Sequence, residues 1–135
     1  MEIKKNESTE LRPEGGRLMD APLVSMDIPQ FIKQIKSEST WENSDRNALT
    51  VYKTNGMRIV LIALHANAEM TRHTADGIIN LQILEGQIRF NTDEQSVELN
   101  KGQMLTLHKG IPHSVLAKEE TIFLLTLTTT SAEIK

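Results

Sequence analysis

Two stretches of sequence decide the fold of this chain: residues 67–86, NAEMTRHTADGIINLQILEG, and residues 102–117, GQMLTLHKGIPHSVLA. Each has the pattern of a strand, a turn and a second strand. Each also contains one histidine, His73 or His113, that a closed β-sheet could direct inward. Further short apolar runs flank both stretches and are separated by polar or glycine-containing pairs. Many short strands at regular turn spacing are typical of a β-sandwich or β-barrel.

The strand pattern extends from Leu49 to Thr129, and the Asn55-Gly56 pair between the first two strands is a strong hairpin signal. The predicted strands are residues 49–54, 57–64, 78–84, 87–92, 96–99, 104–107, 112–116 and 121–129. Before them, Asp27 and Pro29 indicate the start of a helix, and apolar residues recur at helical spacing through residues 28–35. We therefore predict an all-β fold, a small antiparallel β-barrel, preceded by one α-helix that packs outside the sheet.

Composition narrows the functional classes. The chain has 135 residues, a net charge of −3 and no cysteine, which excludes disulfides and thiolate metal ligands. No basic patch with interleaved aromatic residues is present, so nucleic-acid binding is disfavoured. We expect an extended or disordered N-terminal arm over residues 1–20 and one domain over residues 21–135. The sequence shows no apolar run typical of a signal peptide or membrane span, so we expect a cytoplasmic protein with no membrane partner.

The two deciding stretches resemble the two motifs of the cupin superfamily. The first cupin motif is written G-x5-H-x-H-x3,4-E-x6-G. In this sequence Asn67 stands at the opening glycine, His73 at the first histidine and Gly86 at the closing glycine, whereas Ala75 and Ile79 replace the second histidine and the glutamate. Asn67 is among the few residue types that tolerate a positive φ in place of glycine.

The second cupin motif, G-x5-P-x-G-x2-H-x3-N, matches residues 102–117 without a gap. Gly102, Gly110 and His113 agree with the motif, while His108 replaces the proline and Ala117 replaces the asparagine. The resemblance implies a jelly-roll-like barrel, also called a double-stranded β-helix, and a homodimer. An open sheet edge must be covered by something, which gives dimerisation a physical motive.

The resemblance also implies where a metal would bind, because in cupins the two histidines and the glutamate of the first motif and the histidine of the second hold one metal. Here His73 and His113 remain, but Ala75 and Ile79 offer no lone pair. A catalytic zinc site needs three protein ligands, and a non-haem iron site needs two histidines and a carboxylate. Asp76 is a weak candidate for a third ligand.

Two further histidines are weaker metal-ligand candidates than Asp76. His65 lies at a strand-to-turn corner and His108 at the turn position of the motif's proline. Three interpretations of the His73–His113 pair stay open on the sequence alone. The rings could bond to backbone or water, could hold a divalent metal (Zn, Fe, Ni or Mn) completed by water, or could bind a ligand or transfer a proton without metal.

We predict a small-molecule-binding cupin-like protein of unknown ligand, and the sequence does not decide whether it is an enzyme. The predicted ligand-binding residues are His73, His113, Ile79, Leu81, Met104 and Val115. A mostly apolar pocket with few polar groups is typical of small-ligand sites. The alternative is a metal-dependent enzyme of the isomerase or dioxygenase type that uses His73, His113 and a ligand outside the motifs. A structural or regulatory dimer with an occluded barrel is the third possibility.

Overall fold

The computed structural model describes residues 4–6 and 17–129, with side chains from residue 18 onward. The secondary-structure elements, in chain order, are β1 (Lys4–Asn6), β2 (Arg17–Asp20), α1 (Ile28–Ser37), α2 (Ser39–Asn43), β3 (Arg46–Thr54), β4 (Met57–Leu64), β5 (Glu69–His73), β6 (Ile78–Glu85), β7 (Gln87–Thr92), β8 (Ser96–Asn100), β9 (Met104–Leu107), β10 (His113–Ala117) and β11 (Thr121–Thr128). Neither helix among the described residues is long and apolar enough to cross a membrane.

Two antiparallel sheets form the body of the protein and confirm the predicted fold class. One sheet has five strands in the order β3-β4-β11-β6-β9, and the other has four in the order β5-β10-β7-β8. Apolar side chains of both sheets share one buried cluster, to which β6 contributes Leu81, β7 contributes Ile88 and β10 contributes Val115. The two sheets therefore pack face to face as the walls of a small barrel.

The other face of the five-stranded sheet is covered by the helices. Ile35 of α1 and Trp41 of α2 are buried in a second apolar cluster with Leu49 and Leu61 of that sheet. Asp27 caps α1 as predicted, since its side chain accepts a hydrogen bond from the Gln30 amide (3.2 Å). The helix therefore packs outside the barrel, as its apolar spacing predicts. The short helix α2 was not predicted.

The chain before α1 forms a small separate sheet. β1 pairs with β2 in antiparallel register, and Asp20 and Ala21 at the end of β2 are buried. These strands fall within the predicted arm of residues 1–20, and the rest of that arm lies outside the described residues. The predicted domain boundary at residue 21 and the predicted homodimer stay predictions.

One strand of the four-stranded sheet, β5 (Glu69–His73), is the first strand of the strand-turn-strand pattern in residues 67–86, but its bounds were not among the predicted ones. Its sequence EMTRH contains one strongly apolar residue, and most of its side chains are exposed. The strand exists because β10 pairs along it at the sheet edge. An edge strand whose outer side chains are solvated shows little hydrophobic alternation, so the sequence does not define where it begins and ends.

Backbone conformation at the turns agrees with the resemblance. Asn67 has φ 73°, and Gly86 and Gly102 have φ of 94° and 87°. The two glycines differ in their surroundings. A Cβ at Gly86 would lie within 3 Å of atoms of Glu120 and Thr121, whereas a Cβ at Gly102 would meet nothing within 4 Å.

We expect Gly86→Ala to destabilise the protein more than Gly102→Ala. Both substitutions place a Cβ at positive φ, which costs roughly 1–2 kcal/mol. Only the first also forces atoms into the backbone after β10, which adds about 1–3 kcal/mol. Chemical denaturation of both variants measures the difference. Equal losses of unfolding free energy would show that the close packing at Gly86 has no energetic consequence.

Candidate functional site

Strand pairing brings the two motif histidines together at one end of the barrel. His73 is the last residue of β5 and His113 the first of β10, and the two are direct partners in the antiparallel register. Their ring centroids are 4.3 Å apart and the ring planes are inclined by 59°. Residues forty positions apart in the sequence are therefore neighbours in the folded chain.

Each histidine ring is held by the backbone just before it. The Nδ1 atom of His73 lies 2.7 Å from the Thr71 carbonyl oxygen, and the Nδ1 atom of His113 lies 2.9 Å from the Ile111 carbonyl oxygen. A carbonyl oxygen only accepts hydrogen bonds, so both Nδ1 atoms carry the proton when the rings are neutral. Both Nε2 atoms then present a lone pair, and neither has a hydrogen-bond partner among the described residues.

His113 is the buried member of the pair. Only 4% of its surface is exposed, and its ring stacks on Phe90 of β7 with centroids 5.3 Å apart and planes within 11°. Burial holds the pKa of His113 below the usual 6.5, and proximity to His73 acts in the same direction. The bond to the Ile111 carbonyl opposes the shift without cancelling it. His113 is therefore kept neutral at physiological pH.

The pair borders a narrow apolar chamber of about 20 Å³. Its lining consists of Met70, His73, Ile79, Leu81, Phe90, His113, Val115, Phe123 and Leu125. A space of this size holds about one water molecule. Five of the six predicted ligand-binding residues thus line one chamber: His73, His113, Ile79, Leu81 and Val115.

Met104 does not line the chamber, contrary to the sequence prediction. Its side chain is 53% exposed, and its sulfur accepts a hydrogen bond from the Asn80 side chain on the outer face. The inward positions of β9 are Leu105 and Leu107, which pack against the barrel core. The prediction was wrong because a four-residue strand with three apolar side chains does not fix which alternate set faces inward.

Asp76 is also away from the histidine pair. Its side chain is 90% exposed and lies 3.6 Å from the Lys109 ammonium. His108 is exposed. His65 stacks on Trp41 with centroids 3.5 Å apart, and its Nε2 lies 2.8 Å from the Trp41 carbonyl oxygen. None of these residues therefore supplies a third metal ligand beside His73 and His113.

The residues at the pair do not fit a cupin metal centre. Ala75 and Ile79, at the positions of the missing ligands, pack with the barrel core and carry no donor atom. Within residues 18–129 no group of three or more histidine, aspartate or glutamate side chains is placed to hold a metal ion. Two imidazoles alone are fewer protein ligands than a catalytic zinc or a non-haem iron site needs.

A second, larger cavity of about 130 Å³ lies beside the chamber, between β7, β8 and β9. It is lined by Phe90, Thr92, Gln95, Val97, Leu105, Thr106 and Leu107. Phe90 is the one residue that lines both spaces. Sequence analysis missed it, although the alternation of Ile88 and Phe90 with polar neighbours in β7 indicated an inward side chain.

Solved structures support the same fold. A conserved protein of unknown function from Streptococcus pyogenes matches with 23% identity over 84% of this chain and 93% of its own, at a TM-score of 0.63. A cupin-2 domain containing protein from Shewanella frigidimarina matches with 19% identity over 76% of this chain and 93% of its own, at a TM-score of 0.62. Salicylate 1,2-dioxygenase from Pseudoaminobacter salicylatoxidans, in adducts with gentisate, has 14% identity and a TM-score of 0.68 over 76% of this chain but only 32% of its own.

At these identities the structures establish a cupin fold and nothing about activity. No curated protein matches the sequence significantly. Residues 56–134, more than half of the chain, match the family model described as the AraC-like ligand binding domain. This range contains both motif stretches, both histidines and every residue that lines the chamber. The chain therefore belongs to the AraC-like ligand-binding domain family of the cupin fold.

Proposed function

We propose that this protein binds a small molecule at the His73–His113 pair without a metal. One observation carries the proposal: both imidazoles are fixed through Nδ1 by backbone carbonyls and border one apolar chamber, His113 buried and His73 exposed, and neither Nε2 has a protein partner among the described residues. Fixed acceptors in apolar surroundings orient a ligand that carries hydrogen-bond donors.

The chemistry of the chamber defines the ligand class. The Nε2 lone pairs accept from a hydroxyl or N–H group of the ligand, and the low pKa of His113 keeps that acceptor available at neutral pH. All other side chains that line the chamber are apolar. We therefore infer a ligand with one or two donor groups on a compact apolar or aromatic body.

Space for that body requires Phe90 to move. The chamber of about 20 Å³ holds a water molecule and no organic ligand, whereas the neighbouring cavity has about 130 Å³. Apolar cavities of about 150 Å³ bind benzene. Because Phe90 lines both spaces, we propose that rotation of its ring joins them when the ligand binds.

Ligand binding is favoured over metal-dependent catalysis by the donor set. The alternative enzyme needs a third protein ligand, and Asp76, the candidate for it, faces solvent. The family model describes a ligand-binding domain. The structural neighbour that is a dioxygenase holds gentisate, and this supports the inference that a barrel of this shape accommodates a compact aromatic molecule.

A thermal-shift screen against sugars, short acids and aromatic metabolites tests the proposal. A true ligand raises the melting temperature by mass action. We expect the shift to be lost in His73→Ala and in His113→Gln and to persist in His108→Ala, the matched control for an exposed histidine. A ligand whose shift is unchanged in both chamber variants would contradict the assigned site.

Elemental analysis of protein purified without added metal tests the alternative. We expect no stoichiometric metal, because the pair supplies only two protein ligands. Stoichiometric zinc, iron, nickel or manganese that disappears in His73→Ala and His113→Ala would replace the proposed function with the metal-dependent one.

Phe90→Leu tests the role of the shared wall. The smaller leucine side chain should connect the chamber with the larger cavity. We therefore expect tighter binding of an identified ligand, or of benzene as a probe, monitored by NMR. Phe123→Leu is the matched control, because Phe123 lines the chamber but not the larger cavity. Both substitutions delete part of a buried ring, with a stability loss of a few kcal/mol. Equal effects of the two variants on binding would argue against a specific role of Phe90.

The depressed pKa of His113 predicts how stability depends on pH. The unfolded chain, with an ordinary histidine pKa near 6.5, takes up the proton before the folded chain does. Stability therefore falls as pH decreases through about 6.5, by at most about 1.4 kcal/mol per pH unit for this one proton. This pH dependence is measured by chemical denaturation of wild type, His113→Gln and His108→Gln between about pH 7.5 and 5.5. We expect the slope of unfolding free energy against pH to decrease in His113→Gln and to stay unchanged in His108→Gln.

A further inference from the structure

A pair of like charges lies at the open end of the five-stranded sheet. Lys53 of β3 and Arg58 of β4 are direct partners on either side of the hairpin turn at Gly56, and both side chains are exposed. Directly opposed residues in an antiparallel pair point to the same face, and like charges there are destabilising. The fold tolerates this repulsion next to a tight turn.

Arg58 also differs from the other arginines whose side chains the structure describes. Arg46, Arg72 and Arg89 each have a carboxylate oxygen within 4 Å, from Asp45, Asp93 and Glu98 respectively. Within residues 18–129 no acidic side chain is that close to Arg58 or to Lys53. The positive charge of this pair is therefore not neutralised by any described neighbour.

The two cations line a cleft that is larger than both the chamber and the cavity beside it. The cleft has a volume of about 230 Å³ and is completed by Thr54, Gly56, Met57, Leu127 and Thr129. Its apolar side chains are Met57 and Leu127, and its hydroxyls come from the two threonines. A space of this size accepts a molecule somewhat larger than benzene.

The cleft is separate from the histidine chamber but opens at the same end of the barrel. Register places Arg58 opposite Leu127 of β11 and Leu127 opposite Ile79 of β6. Ile79 lines the chamber, so two strand spacings, about 10 Å, separate it from Arg58. The cleft and the chamber share no lining residue.

We propose that this cleft is a second binding site, for a small organic carboxylate with a short apolar or aromatic body. The carboxylate binds between Lys53 and Arg58, where the guanidinium fork matches its two oxygens. The body lies against Met57 and Leu127. This site does not depend on the function proposed for the histidine pair.

Benzoate is the probe for the cleft, and NMR titration of the ¹⁵N-labelled full-length protein is the measurement. We expect saturable shifts of the amides of Thr54, Gly56 and Arg58, and weaker binding of benzamide, which has the same shape without the charge. Arg58→Gln and Lys53→Gln should each weaken benzoate binding by about tenfold, since a hydrogen bond to a charged partner is lost. Affinity should also fall as salt is raised.

Matched controls separate the cleft from general surface charge and from the chamber. Arg89→Gln removes an exposed arginine that already has a carboxylate partner, and it should leave benzoate affinity unchanged, as should His73→Ala. Arg58→Gln and Lys53→Gln remove the like-charge repulsion, so neither should lower the unfolding free energy. Measuring the unfolding free energy of both variants therefore shows whether a loss of benzoate binding is caused by a loss of folding.

Several results would overturn the proposal. These are the absence of saturable benzoate shifts in the wild type, equal affinity for benzamide, or unchanged affinity in both cleft variants. Equal binding of inorganic phosphate at the same amides would show a simple anion site and remove the organic carboxylate as its ligand. Loss of benzoate binding in His73→Ala alone would move the ligand to the histidine chamber and leave the cleft without one.

Discussion

The pairing of β10 with β5 on one side and β7 on the other is the constraint on which the site depends. This register sets His113 opposite both His73 and Thr92, at the open end of the four-stranded sheet. A slip of one residue would turn His113 to the other face and separate the two rings. The carbonyl of Ile111, in the turn that precedes β10, accepts from the His113 ring and fixes its orientation. Residues 111–113 therefore fix both the strand register at His113 and the orientation of its ring.

The same register leaves His113 as a hydrogen-bond acceptor. His113 lies under Phe90 and is desolvated, which disfavours its protonated form. Nδ1 is committed to the backbone, so the only free polar function of the ring is a lone pair on Nε2. An acceptor surrounded by hydrocarbon gains most from a ligand that supplies a donor, because water has little access to compete. Burial and tautomer therefore act together to keep His113 a hydrogen-bond acceptor at neutral pH.

Much of the fold was predictable from turn residues and alternation, and the failures have physical causes. Gly56, Gly86 and Gly102 mark turns because each adopts a positive φ, and most of the strands between them were found. The bounds of β5 were not predicted because its mostly exposed side chains show no alternation. Met104 was predicted to face inward because the sequence of a short apolar strand does not show which alternate side chains point into the barrel. The contact of His73 with His113 followed from the motif resemblance, but the ring tautomers and the wall formed by Phe90 depend on distances that no pattern contains.

Replacement of the other motif ligands changes what stabilises the centre of the barrel. Ile79, at the glutamate position, is 3% exposed and packs within the core cluster. A carboxylate there would need a cation or hydrogen-bond donors to offset its desolvation, whereas an isoleucine contributes about 1.5–3 kcal/mol by burial. Ala75 packs against the same cluster. The positions of the two missing metal ligands are therefore filled by apolar side chains of the core.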